Sequence, residues 1–150
     1  MRLMSEGLAG RGEFDAVVIR TDYAHQRAWR ALVATLAQHV HFVDDPSWSG
    51  APVDDILTAT RDADDLSVVF LADTTTMRSA PPTLLAITTL TREDCEDDED
   101  YARLTESGRT FRTTPAGVPG IHANLSLGNL GFEEYAAWAG ENPDGVYRSA

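Results

Sequence analysis

Leu66-Ser67-Val68-Val69-Phe70-Leu71-Ala72-Asp73 is a short run of apolar, β-branched and aromatic residues closed by an acid. A strand with one solvated face alternates apolar and polar residues. One that is apolar at nearly every position is covered on both faces. The run therefore predicts the central strand of a sheet with helices on either side. Fold class follows from it: a single α/β domain.

The rest of the chain supplies the neighbours. Ala16–Thr21 reads as an interior strand. Asp22 is a good helix N-cap, and Trp29, Leu32, Val33 and Leu36 fall at the spacing of one helix face, predicting a helix over about 23–38. His39–Val43 is a second strand, closing a β-α-β unit whose connection length favours parallel pairing. Pro52 suits the first turn of a short helix with Val53, Ile56 and Leu57 turned inward and Asp54 and Asp55 at its positive end. Thr74–Pro82, polar and closed by a Pro pair, reads as a connection. Thr83–Leu90 and Arg109–Thr114 read as a fourth and a fifth strand, paired as an antiparallel hairpin. Between them lies an acidic excursion over about 92–107. Ile121–Leu130 is open between a loop and a short helix. Phe132, Tyr135, Ala136 and Ala139 mark a last helix over about 131–139, with Val146-Tyr147 a candidate edge strand. The expected order is β-α-β-α-β-β-β-α in a mixed sheet of about five strands, spanning 13–150 after a flexible tail at 1–12.

Charge and composition narrow the function classes. The net charge of −12 repels nucleic acid and attracts basic partners. The twelve cationic residues are all arginine, so lysine Schiff-base and P-loop chemistry are excluded. No apolar run nears the ~18 residues of a membrane span, and the first twelve residues lack the apolar centre of a secretory signal, so a cytoplasmic protein is expected, with no membrane or nucleic-acid partner. The single Cys95 lies among acids that disfavour its thiolate. With no Gly-x-Ser-x-Gly and no Cys placed with a His, no hydrolase triad is indicated, and no cofactor is expected.

Two sets of residues are candidates for function. Asp22, Asp44, Asp45 and Asp73 all stand at the carboxyl ends of expected strands, where open α/β sheets bind ligands. Converging, they would offer hard oxygen ligands to a divalent metal, with Thr74–Thr76 beside a phosphate. Serving singly as helix caps and Asx turns, they would offer nothing. His39 and His41, two apart on one strand face, are at a spacing seen in metal sites but are only two ligands. The second set is an acidic surface. Seven of the eight residues from Glu93 to Asp100 are acids (Glu93, Asp94, Glu96, Asp97, Asp98, Glu99 and Asp100), and Trp48, in a Gly/Ser/Pro loop after another acidic pair, would anchor a partner if exposed. Trp29 and Trp138 sit at helical positions compatible with core.

Val17–Asp22 before a Trp-containing helix, Phe42–Pro46, Thr83–Leu90 with Arg109–Arg112, and Asn124–Asn129 leading into Phe132–Tyr135 together resemble an uncharacterised family of small, mostly actinobacterial single-domain proteins, a domain of unknown function. The resemblance runs from about residue 16 to the C-terminus. It implies no activity, ligand or catalytic residue. The family pattern links the two hairpin strands by a shorter connection, so the acidic excursion is a departure from it. Two readings follow: a binding protein, of immunity or regulatory type, that engages a basic protein through its acidic surface, or an enzyme or ligand-binding domain built on the strand-end carboxylates.

Overall fold

The computed structural model describes residues 7–12, 14–36, 39–61 and 66–149. Among them one six-stranded mixed sheet is ordered β2-β1-β3-β4-β5-β6, with β1 at Ala16–Arg20, β2 at Val40–Val43, β3 at Val68–Ala72, β4 at Leu84–Thr88, β5 at Thr110–Thr113 and β6 at Val146–Tyr147. β1 runs parallel to β2 and β3, with Val18 opposite Phe42 and Phe70. β4 is antiparallel to both β3 and β5. The β4–β5 pairing is the expected hairpin, and the short β6 adds a sixth strand parallel to β5 at the edge.

Alternation along the central strands sorts the core into two layers, as period-2 side-chain geometry requires. Ala16, Val18, Val68, Phe70 and Ala72 face helices α1 (Gln26–Thr35), α5 (Val118–Ser126) and α6 (Phe132–Gly140). Val17, Ile19, Val69 and Leu71 face the other way, onto Ile56 of α2 (Val53–Thr60) and onto Trp48. Every residue of β1 and β3 is buried, which is the physical content of an uninterrupted apolar run.

Several expectations need correction. Thr74–Arg78 is a helix, α3, because Asp73 accepts the Thr76 N–H at 3.0 Å while the Thr76 hydroxyl accepts from the Asp73 N–H at 3.1 Å. This reciprocal cap offsets the weak helix propensity of three threonines. The undecided segment 121–130 is helical as far as Ser126 and then turns, with Pro119 in the first turn of α5, where its missing N–H costs nothing. α1 begins at Gln26, later than expected, since Asp22 binds Ala24 N–H in a turn before the helix. Residues 37–38, within the expected helix, lie outside the described residues, as do 1–6 of the expected tail. Within residues 7–12, Leu8 packs against the second core layer and His41 Nε2 donates to the Gly7 carbonyl at 2.6 Å. His39 precedes β2 with φ 60°, so the two histidines do not share a strand face. The acidic excursion carries helix α4 at Asp98–Leu104.

Phe70 is fully buried at the centre of the larger layer. Phe70→Ala should destabilise the protein by about 3–5 kcal/mol in urea unfolding, whereas a loss under ~1 kcal/mol would contradict the central place of β3.

Candidate functional site

The strand-end carboxylates lie along one edge of the parallel half of the sheet, and each is engaged within the fold. Asp22 is buried at the end of β1, where it accepts the Ala24 N–H at 2.8 Å and His25 Nδ1 at 3.0 Å, and the Thr74 side chain of α3 also favours its charged form. Burial pushes its carboxyl up, but these donors outweigh burial and hold it below the usual carboxylate range. Asp45 caps the turn at Pro46–Trp48 by accepting the Ser47 N–H. Asp44, about half exposed, faces Arg20 Nη1 at 3.5 Å.

Arg20 itself is buried. Its Nε donates to the Asp22 carbonyl at 2.8 Å, its Nη2 to Gln26 at 2.9 Å, and the guanidinium lies 4.2 Å from the Tyr23 ring centroid and 5.0 Å from that of Trp29.

Asp73 is held most firmly. Besides capping α3, its two oxygens receive Arg112 Nη1 at 2.9 Å and Nη2 at 2.6 Å. Arg112 lies on β5, opposite Leu85 of β4, which is opposite Leu71 of β3, so the pair reaches across a whole strand. Burial raises the Asp73 carboxyl, and the Arg112 hydrogen bonds and charge with the Thr76 N–H bring it below its ordinary value. Among the described residues no three His, Cys, Asp or Glu side chains are grouped to hold a metal ion. Adjacent parallel strands thus bring the carboxylates to one edge, and local donors divide them.

Trp48 is 2 % exposed, so the expectation of an exposed anchor is corrected. Asp45 and Pro46 turn the loop back over the sheet, Gly50 N–H binds the Thr21 carbonyl at 2.9 Å, and the indole fills the second core layer. Trp138 reverses the other expectation: it is 40 % exposed. It stands one residue before buried Ala139, hence about 100° round α6 from the core stripe, a signal present in the sequence.

The excursion between β4 and β5 is an arm rather than a loose loop. A single turn at Arg92–Asp94 is closed by Asp94 accepting from the Thr91 N–H and hydroxyl. Asp97 then caps α4 through the Asp100 N–H at 2.7 Å, and Asp98, Glu99 and Asp100 occupy its first turn, where the helix dipole favours negative charge. Glu93, Asp94, Glu96, Asp97, Asp98 and Glu99 are exposed, and Asp100 turns toward Arg103 at 2.8 Å. Arg92 lies 4.6 Å from the Tyr101 ring and 3.4 Å from Asp98. Partial burial and the carboxylates of Asp100, Asp94 and Asp97 push the Cys95 thiol up, away from nucleophilic behaviour.

Fold and geometry define the class: a one-sheet α/β domain whose strand-end acids are consumed internally and whose densest charge rides on a helical arm. The chain belongs to the family described as Domain of unknown function (DUF6924), which it matches over residues 15–150. No curated protein matches it. No helix among the described residues is long and apolar enough to cross a membrane.

Asp73→Asn keeps one acceptor oxygen for the α3 cap and removes both the negative charge facing Arg112 and one of its two hydrogen bonds. It should cost about 2 kcal/mol at pH 7. Because the folded-state value of Asp73 is depressed, its contribution is complete above the unfolded carboxylate range and is lost as pH falls through the folded value. The stability difference between wild type and variant should therefore be flat above about pH 5 and shrink below about pH 4, checked by urea unfolding across pH. A difference that grew on acidification would contradict the ion pair.

Proposed function

We propose that this is a binding protein that engages a basic protein partner through the acidic arm, in the manner of an immunity-type or regulatory protein. The observation that carries the reading is the unspent charge of the arm. Among the described residues, Glu93, Glu96 and Glu99 form no ion pair, while the acids at the strand ends are all engaged. An ordered helix holding exposed carboxylates presents a fixed negative surface, which steers a basic partner and sets its register more than it adds raw affinity. The overall charge of −12 extends the same field.

Location of charge, as distinct from its amount, is tested by two variants of equal net charge. Glu96→Gln/Glu99→Gln discharges the arm, and Asp54→Asn/Asp55→Asn discharges the first turn of α2. Binding of a fluorescein-labelled, C-amidated tetra-arginine peptide is measured by anisotropy at low and physiological salt. The arm variant should bind about fivefold more weakly and the α2 variant less than about twofold. Equal losses, or no binding by wild type, would overturn the reading.

A further inference from the structure

Between α4 and α6 lies a groove of about 370 Å³ whose walls are Arg103 and Glu106 on one side and Glu133, Glu134, Trp138 and Glu141 on the other. Resting on the reading above, we infer that this groove is the docking point for the basic partner, and that its occupant is an arginine side chain of the partner stacked on the Trp138 indole.

Three observations support the assignment. First, Trp138 is the one large aromatic of the described residues that is this exposed and also fixed in place. Its ring meets Tyr135 edge-on at 5.4 Å and lies 28° from parallel with Tyr147 at 6.4 Å, so neighbours support it while solvent reaches it. Phe14 is more exposed, but no aromatic ring among the described residues packs against it. A preorganised aromatic surface loses little freedom on binding.

Second, four glutamates line the groove against one arginine, and that arginine is bonded to Asp100 at 2.8 Å. An apolar occupant would bury carboxylates without partners, at a cost, whereas a guanidinium satisfies both surfaces. Its planar face stacks on indole while its edge offers paired N–H groups to carboxylates. Lysine carries the charge but has no plane to stack.

Third, the groove is continuous with the arm. Arg103 and Glu106 also border the surface of Glu96, Asp97, Glu99 and Asp100, so a basic segment lying along α4 runs directly to Trp138. The field of the arm and the anchor are parts of one surface.

The test uses the full chain with acetylated, amidated tetra-arginine and tetra-lysine peptides, read by isothermal titration calorimetry and by acrylamide quenching of tryptophan fluorescence. Trp29 and Trp48 are buried, so quenching reports Trp138. Tetra-arginine should cut the quenching constant at least about twofold, and Trp138→Leu should weaken its binding about fivefold to tenfold. Tetra-lysine should bind more weakly than tetra-arginine. Should Trp138→Leu fail to fold, Glu106→Gln/Glu141→Gln leaves the indole packing untouched and should weaken binding about fivefold. Binding that leaves Trp138 fully quenchable, or that these variants do not weaken, would overturn the groove while leaving the acidic-arm reading standing. Equal affinity for the two peptides would overturn the arginine assignment. No binding of either peptide would overturn both the groove and the arm.

Discussion

The ion pair between Asp73 and Arg112 ties together the two halves of the sheet, which the β3–β4 ladder joins. β3 ends the parallel half and β4 begins the antiparallel half, so strand direction changes at their junction. Arg112 reaches from β5 across β4 to the end of β3 and grips both oxygens of Asp73. The same carboxylate starts α3. One side chain therefore fixes the helix that leaves the central strand and the strand that lies two places away. A bidentate, partly buried pair of this kind adds geometric specificity to its energy.

That arrangement has a functional consequence. In open α/β sheets the carboxyl edge of the parallel strands is the usual place for a ligand. Here each acid at the edge is engaged from within, Asp73 by Arg112, Asp44 by Arg20, and Asp22 by the Ala24 N–H and His25. Much of the charge left over lies on the arm around α4 and along α6. A helix start tolerates a block of acids because its own dipole and N–H groups favour them. The arm can thus be both ordered and strongly negative.

Much of the fold was legible in the residues. The unbroken apolar run of β3, the three β-branched or apolar residues Val17-Val18-Ile19 of β1, and the i, i+3, i+4, i+7 stripe of α1 each specify an element through burial on known faces. What stayed hidden was set by contacts distant in sequence or by side-chain caps. α3 owes its existence to the Asp73–Thr76 exchange, which overrides threonine propensity. Trp48 looked like a loop residue because periodicity cannot place a tryptophan that a capped turn folds back over the sheet. Asp22, Asp44 and Asp73 were correctly placed at strand ends, but Arg20 and Arg112 read only as strand residues, and their pairing depends on strand order. Trp138 was misread as core although its offset from the Phe132, Tyr135, Ala136 and Ala139 stripe was available.

The proposal places recognition of a basic partner on the α4–α6 surface and not at the carboxyl edge of the sheet. Amide chemical-shift mapping of the labelled protein during titration with tetra-arginine tests it most directly, because both surfaces are observed in one experiment. Saturable shifts are expected at Glu99, Arg103, Glu106, Ala137, Trp138 and Glu141, with Thr21, Asp22, Asp44 and Asp73 unmoved. Shifts concentrated at those strand-end residues, with α4 and α6 silent, would contradict it.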